Sequence, residues 1–206
     1  MKQSRTQKII VVGATGLIGT QVVAQLSLGD RVPGYEVMGV THETEPGLDL
    51  TSPPSLQRFM DTVRGFDHLV VTAGDARFGG FDALDAAAFE VGLRSKLMGQ
   101  VNVAMAALRV LPPGGSVTLT SGQLAHTPIP GSAAVAMVNG AIESFVRAIA
   151  LDAPAGRRIN AVSPGWIKET MLRMGMDPGP GTSAWDVARL YVEAVEGAMS
   201  GEVIEA

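Results

Sequence analysis

The chain has no cysteine. That excludes disulfides, cysteine-ligated zinc and a thiol nucleophile, and it fits the reducing conditions of the cytoplasm. Histidine is almost as scarce. The three present, His42, His68 and His126, show no metal-ligand spacing, so no metal is expected. Charge is sparse too: 17% of residues are charged, against 46% hydrophobic, and the net charge is −4. No Lys/Arg run appears, so the footprint of a nucleic-acid binder is missing. No apolar run approaches the ~20 residues of a membrane span. The N-terminal "MKQSRTQKIIVVGATGLIG" starts basic and turns apolar, as a signal peptide does. Glycines at 13, 16 and 19 break that run, and a strand, a turn and a helix suit it better. The expectation is a soluble cytoplasmic protein with neither nucleic-acid nor membrane partners.

What is present points to one α/β domain spanning residues 1–206. Short β-branched runs alternate with helical segments. Strands are expected at 8–13, 35–41, 66–74, 114–122, 157–165 and 201–206, with a very short one at 48–50. Helices are expected at 17–26, 54–63, about 87–111, 132–151 and 185–199. Strands apolar throughout and separated by helices belong to a parallel sheet covered on both faces. Right-handed crossovers then give a doubly wound parallel sheet, a Rossmann fold in three layers, α/β/α. One long connection, 166–184, is rich in Gly, Pro and Met and reads as a substrate lid.

Gly13, Gly16 and Gly19 lie between the first strand and the first helix. Glycines there allow a tight turn and close approach to a pyrophosphate, which the free N–H groups of the helix start attract. Gly13, Thr15, Gly16, Leu17, Ile18 and Gly19 are therefore cofactor-binding candidates. The second strand ends at Thr41 and His42 without the carboxylate that would hold the ribose hydroxyls of NAD, which tips the balance toward NADP(H) over NAD(H).

Five motifs then occur in order: "GATGLIG", "DLT" at 49–51, "TAG" at 72–74, "SVTLTSG" at 116–122 and "INAVSPGWIKET" at 159–170. Together they resemble the short-chain dehydrogenase/reductase family across nearly the whole chain. The resemblance implies that Asp49 and Leu50 lie at the adenine, and that Ala73 and Gly74 line the adenosine and ribose. It places Pro164 and Gly165 near the nicotinamide, with Ile167 and Thr170 on its carboxamide. Ser121 matches the active-site serine. The glycine turn resembles the GxxGxxG of extended or atypical branches rather than the common TGxxxGxG.

The family's YxxxK motif falls on Val135 and Asn139, so both usual catalytic groups are missing. The "NxxG" phrase of the preceding helix reads "KLMG", with Lys96 in the Asn place. Lys and Asn look exchanged between facing helices. The expected catalytic set is Ser121, Lys96 and Asn139, with Lys96 near the cofactor ribose and Asn139 bonded to it or to a shared water. His126 is read as a loop histidine. Trp166, Met171, Leu172, Met174 and Met176, with Phe78 and Phe81, point to an apolar small-molecule substrate.

The leading function is a nicotinamide-dependent oxidoreductase interconverting a carbonyl and an alcohol. A non-redox catalyst on the same fold and an NAD(P)H sensor without turnover are the alternatives. The resemblance also implies a homodimer or homotetramer.

Overall fold

The computed structural model describes residues 5–28 and 34–206. Six strands form one parallel sheet: β1 (Gln7–Val12), β2 (Tyr35–Val40), β3 (His68–Val71), β4 (Ser116–Thr120), β5 (Arg158–Ser163) and β6 (Val203–Glu205). Their order is β2-β1-β3-β4-β5-β6. The chain crosses from β2 over β1 to β3. The crevice beyond the C-terminal ends of β1 and β3 is thus a topological switch point, where such sheets bind ligands.

Alternation along β1 builds two cores. Ile10 and Val12 pack with Phe59 of α2 (Pro53–Thr62), Val103 of α4 (Gln100–Val110) and Ile142 of α5 (Ala133–Asp152). Ile9 and Val11 face the other way, onto Val22 of α1 (Leu17–Leu26) and Tyr191 of α7 (Ala184–Glu196). This is the doubly wound α/β/α arrangement expected.

Three expectations change. Residues 48–50 form no strand. The Leu48 amide donates to the Thr41 carbonyl at 2.9 Å, and Asp49 Oδ1 accepts from the Thr51 amide at 2.8 Å. Local bonds thus satisfy the backbone groups that a ladder would use. The long helix is interrupted: α3 (Ala86–Val91) runs into a π-helical segment, Gly92–Gly99, before α4. Such wide turns often occur at functional sites, and this one carries Lys96. Finally, α5 does match a membrane span in length and composition, at 20 residues and mean hydropathy 1.5. Its Val135, Val138, Ile142 and Val146 are buried, as a core helix requires.

The 166–184 connection is folded rather than loose. The Thr182 amide donates to the Trp166 carbonyl and the Lys168 amide to the Thr182 carbonyl, at 2.9 and 3.0 Å. Between them lies α6 (Lys168–Arg173).

Within the sheet, His68 is buried, and its Nδ1 lies 2.8 Å from Ser116 Oγ. Burial, with a contribution from Arg158, lowers its pKa to about 4. The folded state therefore resists a proton that the unfolded chain accepts below its ordinary value. Stability from this group is complete above pH ~6.5 and falls as pH drops toward 4. Denaturant midpoints at several pH values should show this slope, worth up to about 3 kcal/mol. His68→Gln should flatten it, and an equal slope in the variant would refute the assignment.

Candidate functional site

Two cavities open along the C-terminal ends of the strands. The larger, about 870 Å3, lies at the switch point. Gly13, Thr15, Thr41, His42, Asp49, Leu50, Ala73 and Gly74 line it, eight of the residues expected to hold a cofactor. Gly13 is at φ 87°, and a Cβ there would sit 2.9 Å from the Ala73 amide and from Thr72 Oγ1. Only glycine permits that approach. Gly19 serves the packing of the helix. A Cβ there would lie 2.1 Å from the Gly13 carbonyl, so the bare glycine lets α1 close onto the turn. Gly16, Leu17, Ile18 and Gly19 do not line the cavity; they form the first turn of α1. That helix start has no side-chain cap and no acidic residue in its first turn. Its free amides and positive end suit a pyrophosphate.

Asp49 is held as an acceptor. Thr51 donates to it through its hydroxyl and its amide, both at 2.8 Å, and these bonds lower the carboxyl pKa. An ionised carboxylate on this wall can receive an adenine amino group. His42 lies 3.6 Å from Glu43 and is largely exposed. Arg58 of α2 also lines the cavity, a cation missed when only the tip of the second strand is considered. Pro53 and Ser52 start α2, and its fourth-residue spacing puts Ser55 and Phe59 inward beside Arg58.

The smaller cavity, about 360 Å3, is lined by Pro164, Gly165, Ile167 and Thr170, the residues that the resemblance assigns to the nicotinamide, and by Asn139. Phe78 and Trp166 also line it. Met171 is buried elsewhere. Phe81, Leu172, Met174 and Met176 lie exposed, so the expected apolar cover is narrower than its sequence implies.

Ser121 lines neither cavity. Successive residues at the end of β4 point to opposite faces. Thr120 Oγ1 meets Tyr191 Oη at 2.7 Å, while Ser121 Oγ donates to Glu143 Oε1 at 3.0 Å on the α5 side. The next residue, Gly122, faces the small cavity, and a Cβ there would be 2.8 Å from Asn139 Nδ2. The motif serine is therefore a structural donor, and a glycine occupies the wall beside it. His126 is no isolated loop histidine: its Nε2 is 2.6 Å from Glu143 Oε2.

Lys96 lines neither cavity. Its backbone packs on Gly74, where a Cβ would be 2.7 Å from Lys96 Cα. Its ammonium turns inward and donates to the Ser121 carbonyl at 3.2 Å. Burial lowers its pKa to about 8, opposed by the charge of Asp75. Asn139 Nδ2 donates to the next carbonyl, Gly122, at 3.2 Å. So Lys96 and Asn139 do converge on one strand end, but they bond to successive carbonyls and not to each other. Val135 is buried one turn before Asn139 and offers no proton.

Comparison with known proteins agrees with this layout. Residues 32–194 match the family model described as enoyl-(acyl carrier protein) reductase. The short-chain dehydrogenase/reductase ATR9 of Stachybotrys chlorohalonatus is 27% identical over 215 residues, covering 91% of this chain and 82% of that protein. Versicolorin reductase 1 of Aspergillus parasiticus is 34% identical over 130 residues; the match takes in 60% of this chain and half the length of the relative (50%). A small-chain dehydrogenase solved in complex with NADPH superposes with a TM-score of 0.83 at 29% identity, over 98% of this chain and 97% of that one. With the glycine turn, the switch-point cavity and the SPGWIKET segment where the family would have them, this chain belongs to the short-chain dehydrogenase/reductase family of oxidoreductases.

Proposed function

We propose that the chain reduces an apolar carbonyl compound with NADPH, or oxidises the corresponding alcohol with NADP+, using Lys96 as its proton donor and acceptor. The carrying observation is the Lys96 ammonium, which donates to the Ser121 carbonyl, one residue before Gly122 in the wall of the smaller cavity, and whose pKa is lowered to about 8. A group that titrates there can exchange a proton near neutral pH, which Val135 and the buried Ser121 cannot. Its ordinary value, 10.5, would hold the proton too firmly.

The nicotinamide, when bound, supplies or accepts the hydride. The chain's own residues do the rest. The uncapped start of α1 holds the pyrophosphate, and Asp49 receives the adenine amino group. Arg58 supplies positive charge in the same cavity, which favours a 2′-phosphate, although Glu45 also lines it. Ile167 and Thr170 orient the carboxamide, while Phe78, Leu124 and Trp166 keep water from the reacting carbon. Relatives named as versicolorin reductase, and a neighbour solved with NADPH, support both the carbonyl substrate and the cofactor. The protein is taken to act in the cytoplasm as a homodimer or homotetramer.

Titration of wild type and Lys96→Ala with NADPH and NADH, followed by cofactor fluorescence, tests the reading. Tight NADPH binding by wild type, then oxidation of NADPH against a panel of apolar ketones, is the expected result. No binding of either cofactor would overturn it.

A further inference from the structure

One residue of the π-helical segment Gly92–Gly99 reaches the large cavity: Ser95. Its Oγ accepts from the Asp75 amide at 3.0 Å, and Asp75 lines the same cavity. A hydroxyl that accepts still has a hydrogen to give. Among the described residues no acceptor takes it. The residue that follows is Lys96.

The segment is braced on the cavity wall. A Cβ on Gly74 would lie 2.7 Å from Lys96 Cα, and one on Gly99 would lie 2.8 Å from Leu50 Cβ. Gly74 and Leu50 both line the cavity. At the other end of the segment, a Cβ on Gly92 would be 3.2 Å from Val138 Cγ1 of α5. Packing this close transmits displacement, so a ligand that shifts the wall also shifts the turn that carries Lys96. Charge follows the same path. Glu143 of α5 is taken up by Ser121, Ser163, His126 and Arg147, and Arg94 lies 3.9 Å from Glu90. Asp75 is the charged group that bears on the Lys96 ammonium, where it opposes the effect of burial.

We propose that Ser95 is a positioning residue that links cofactor seating to proton transfer: it holds Asp75, donates its hydroxyl hydrogen to an oxygen of the bound nucleotide, and so sets Lys96 in place. The proposal rests on reading the large cavity as the nucleotide site and Lys96 as the proton donor.

The probe is adenosine 2′,5′-bisphosphate, which can fill the large cavity without bringing a nicotinamide. Calorimetry gives its affinity, and amide hydrogen exchange shows what its binding fixes. In wild type it should slow exchange across residues 92–99 by about tenfold or more. Ser95→Ala should fold, since Asp75 is exposed and water can meet its amide. It should bind the bisphosphate about tenfold more weakly, the worth of one hydrogen bond. At saturation the slowing should persist at 13–17 and 49–51 and be lost at 92–99. Ser95→Thr keeps the hydroxyl and should restore both. Adenosine as a second probe tells a ribose oxygen, whose loss it shares, from a phosphate oxygen, whose loss it does not. The pH profile of ketone reduction at saturating NADPH gives a separate readout. With Asp75 released, the rate in Ser95→Ala should fall at a lower pH than in wild type, and threonine should restore the profile. Bisphosphate bound by wild type without slowing at 92–99, or equal affinity and slowing in Ser95→Ala, overturns the proposal and leaves the cofactor reading standing. Failure of wild type to bind either the bisphosphate or NADPH overturns the cofactor reading, and the proposal with it. A profile that is flat in wild type removes Lys96 as the donor, and with it the link to proton transfer.

Discussion

Lys96→Met is expected to lower kcat for carbonyl reduction by ~10²–10⁴, the usual worth of a positioned proton donor. Methionine keeps the length and apolar stem of the side chain, so the π-helical segment and its packing on Gly74 should persist. The pH profile is the sharper part of the test. Reduction needs the ammonium, so its rate should fall as pH rises through about 8; alcohol oxidation needs the neutral amine and should rise through the same value. Both dependences should vanish in the methionine variant. Lys96→Arg restores the charge without a proton that can leave near neutral pH, and should not recover kcat. Recovery of full activity by arginine would mean that Lys96 contributes charge alone.

The sequence shows some of this arrangement clearly. Glycine spacing after β1 and the motif order place the nucleotide cavity, because those features depend on local backbone geometry. Lys96 and Asn139 are both legible as departures from the family pattern, and both reach the same strand end. The role of Ser121 is not legible from the motif alone. Its direction depends on which face of β4 continues past Thr120, and a one-residue slip reverses it. The alternation of Ser116, Thr118 and Thr120 against Val117 and Leu119 carries that signal, since it puts Ser121 on the Leu119 side. Arg58 stays hidden for another reason. It comes from a helix beside the cavity, and the motif reading looks only at the tip of β2. Glu143 reads as one more polar residue in "VNGAIESF". Only the tertiary packing shows that it faces inward between two strand ends.

Glu143 therefore carries the second large effect. Its carboxylate is fully buried. Oε1 accepts from Ser121 Oγ at 3.0 Å and Ser163 Oγ at 3.2 Å; Oε2 lies 2.6 Å from His126 Nε2 and 3.6 Å from Arg147. One side chain of α5 thus ties together the ends of β4 and β5 and the loop that walls the small cavity. Glu143→Ala removes the acceptor from two buried hydroxyls and leaves a void. Each such loss costs about 1–3 kcal/mol, so a total of roughly 2–5 kcal/mol is expected. At about 2–4 °C per kcal/mol for a domain of this size, Tm should fall by roughly 5–15 °C. Glu143→Gln keeps a carbonyl for the serines and gives up only the charge facing His126 and Arg147. Both partners are about half exposed, so water can take over much of that interaction, and the loss should be about 1–2 kcal/mol. NADPH affinity should fall less than substrate affinity in either variant, because the cavity proposed for its adenosine half lies at β1 and β3, on the far side of β4. Binding in the small cavity should weaken, since Gly122, Gln123, Leu124 and Thr127 belong to the loop that His126 anchors. A Glu143→Ala protein melting within about 2 °C of wild type would show that the carboxylate is not what holds these elements together.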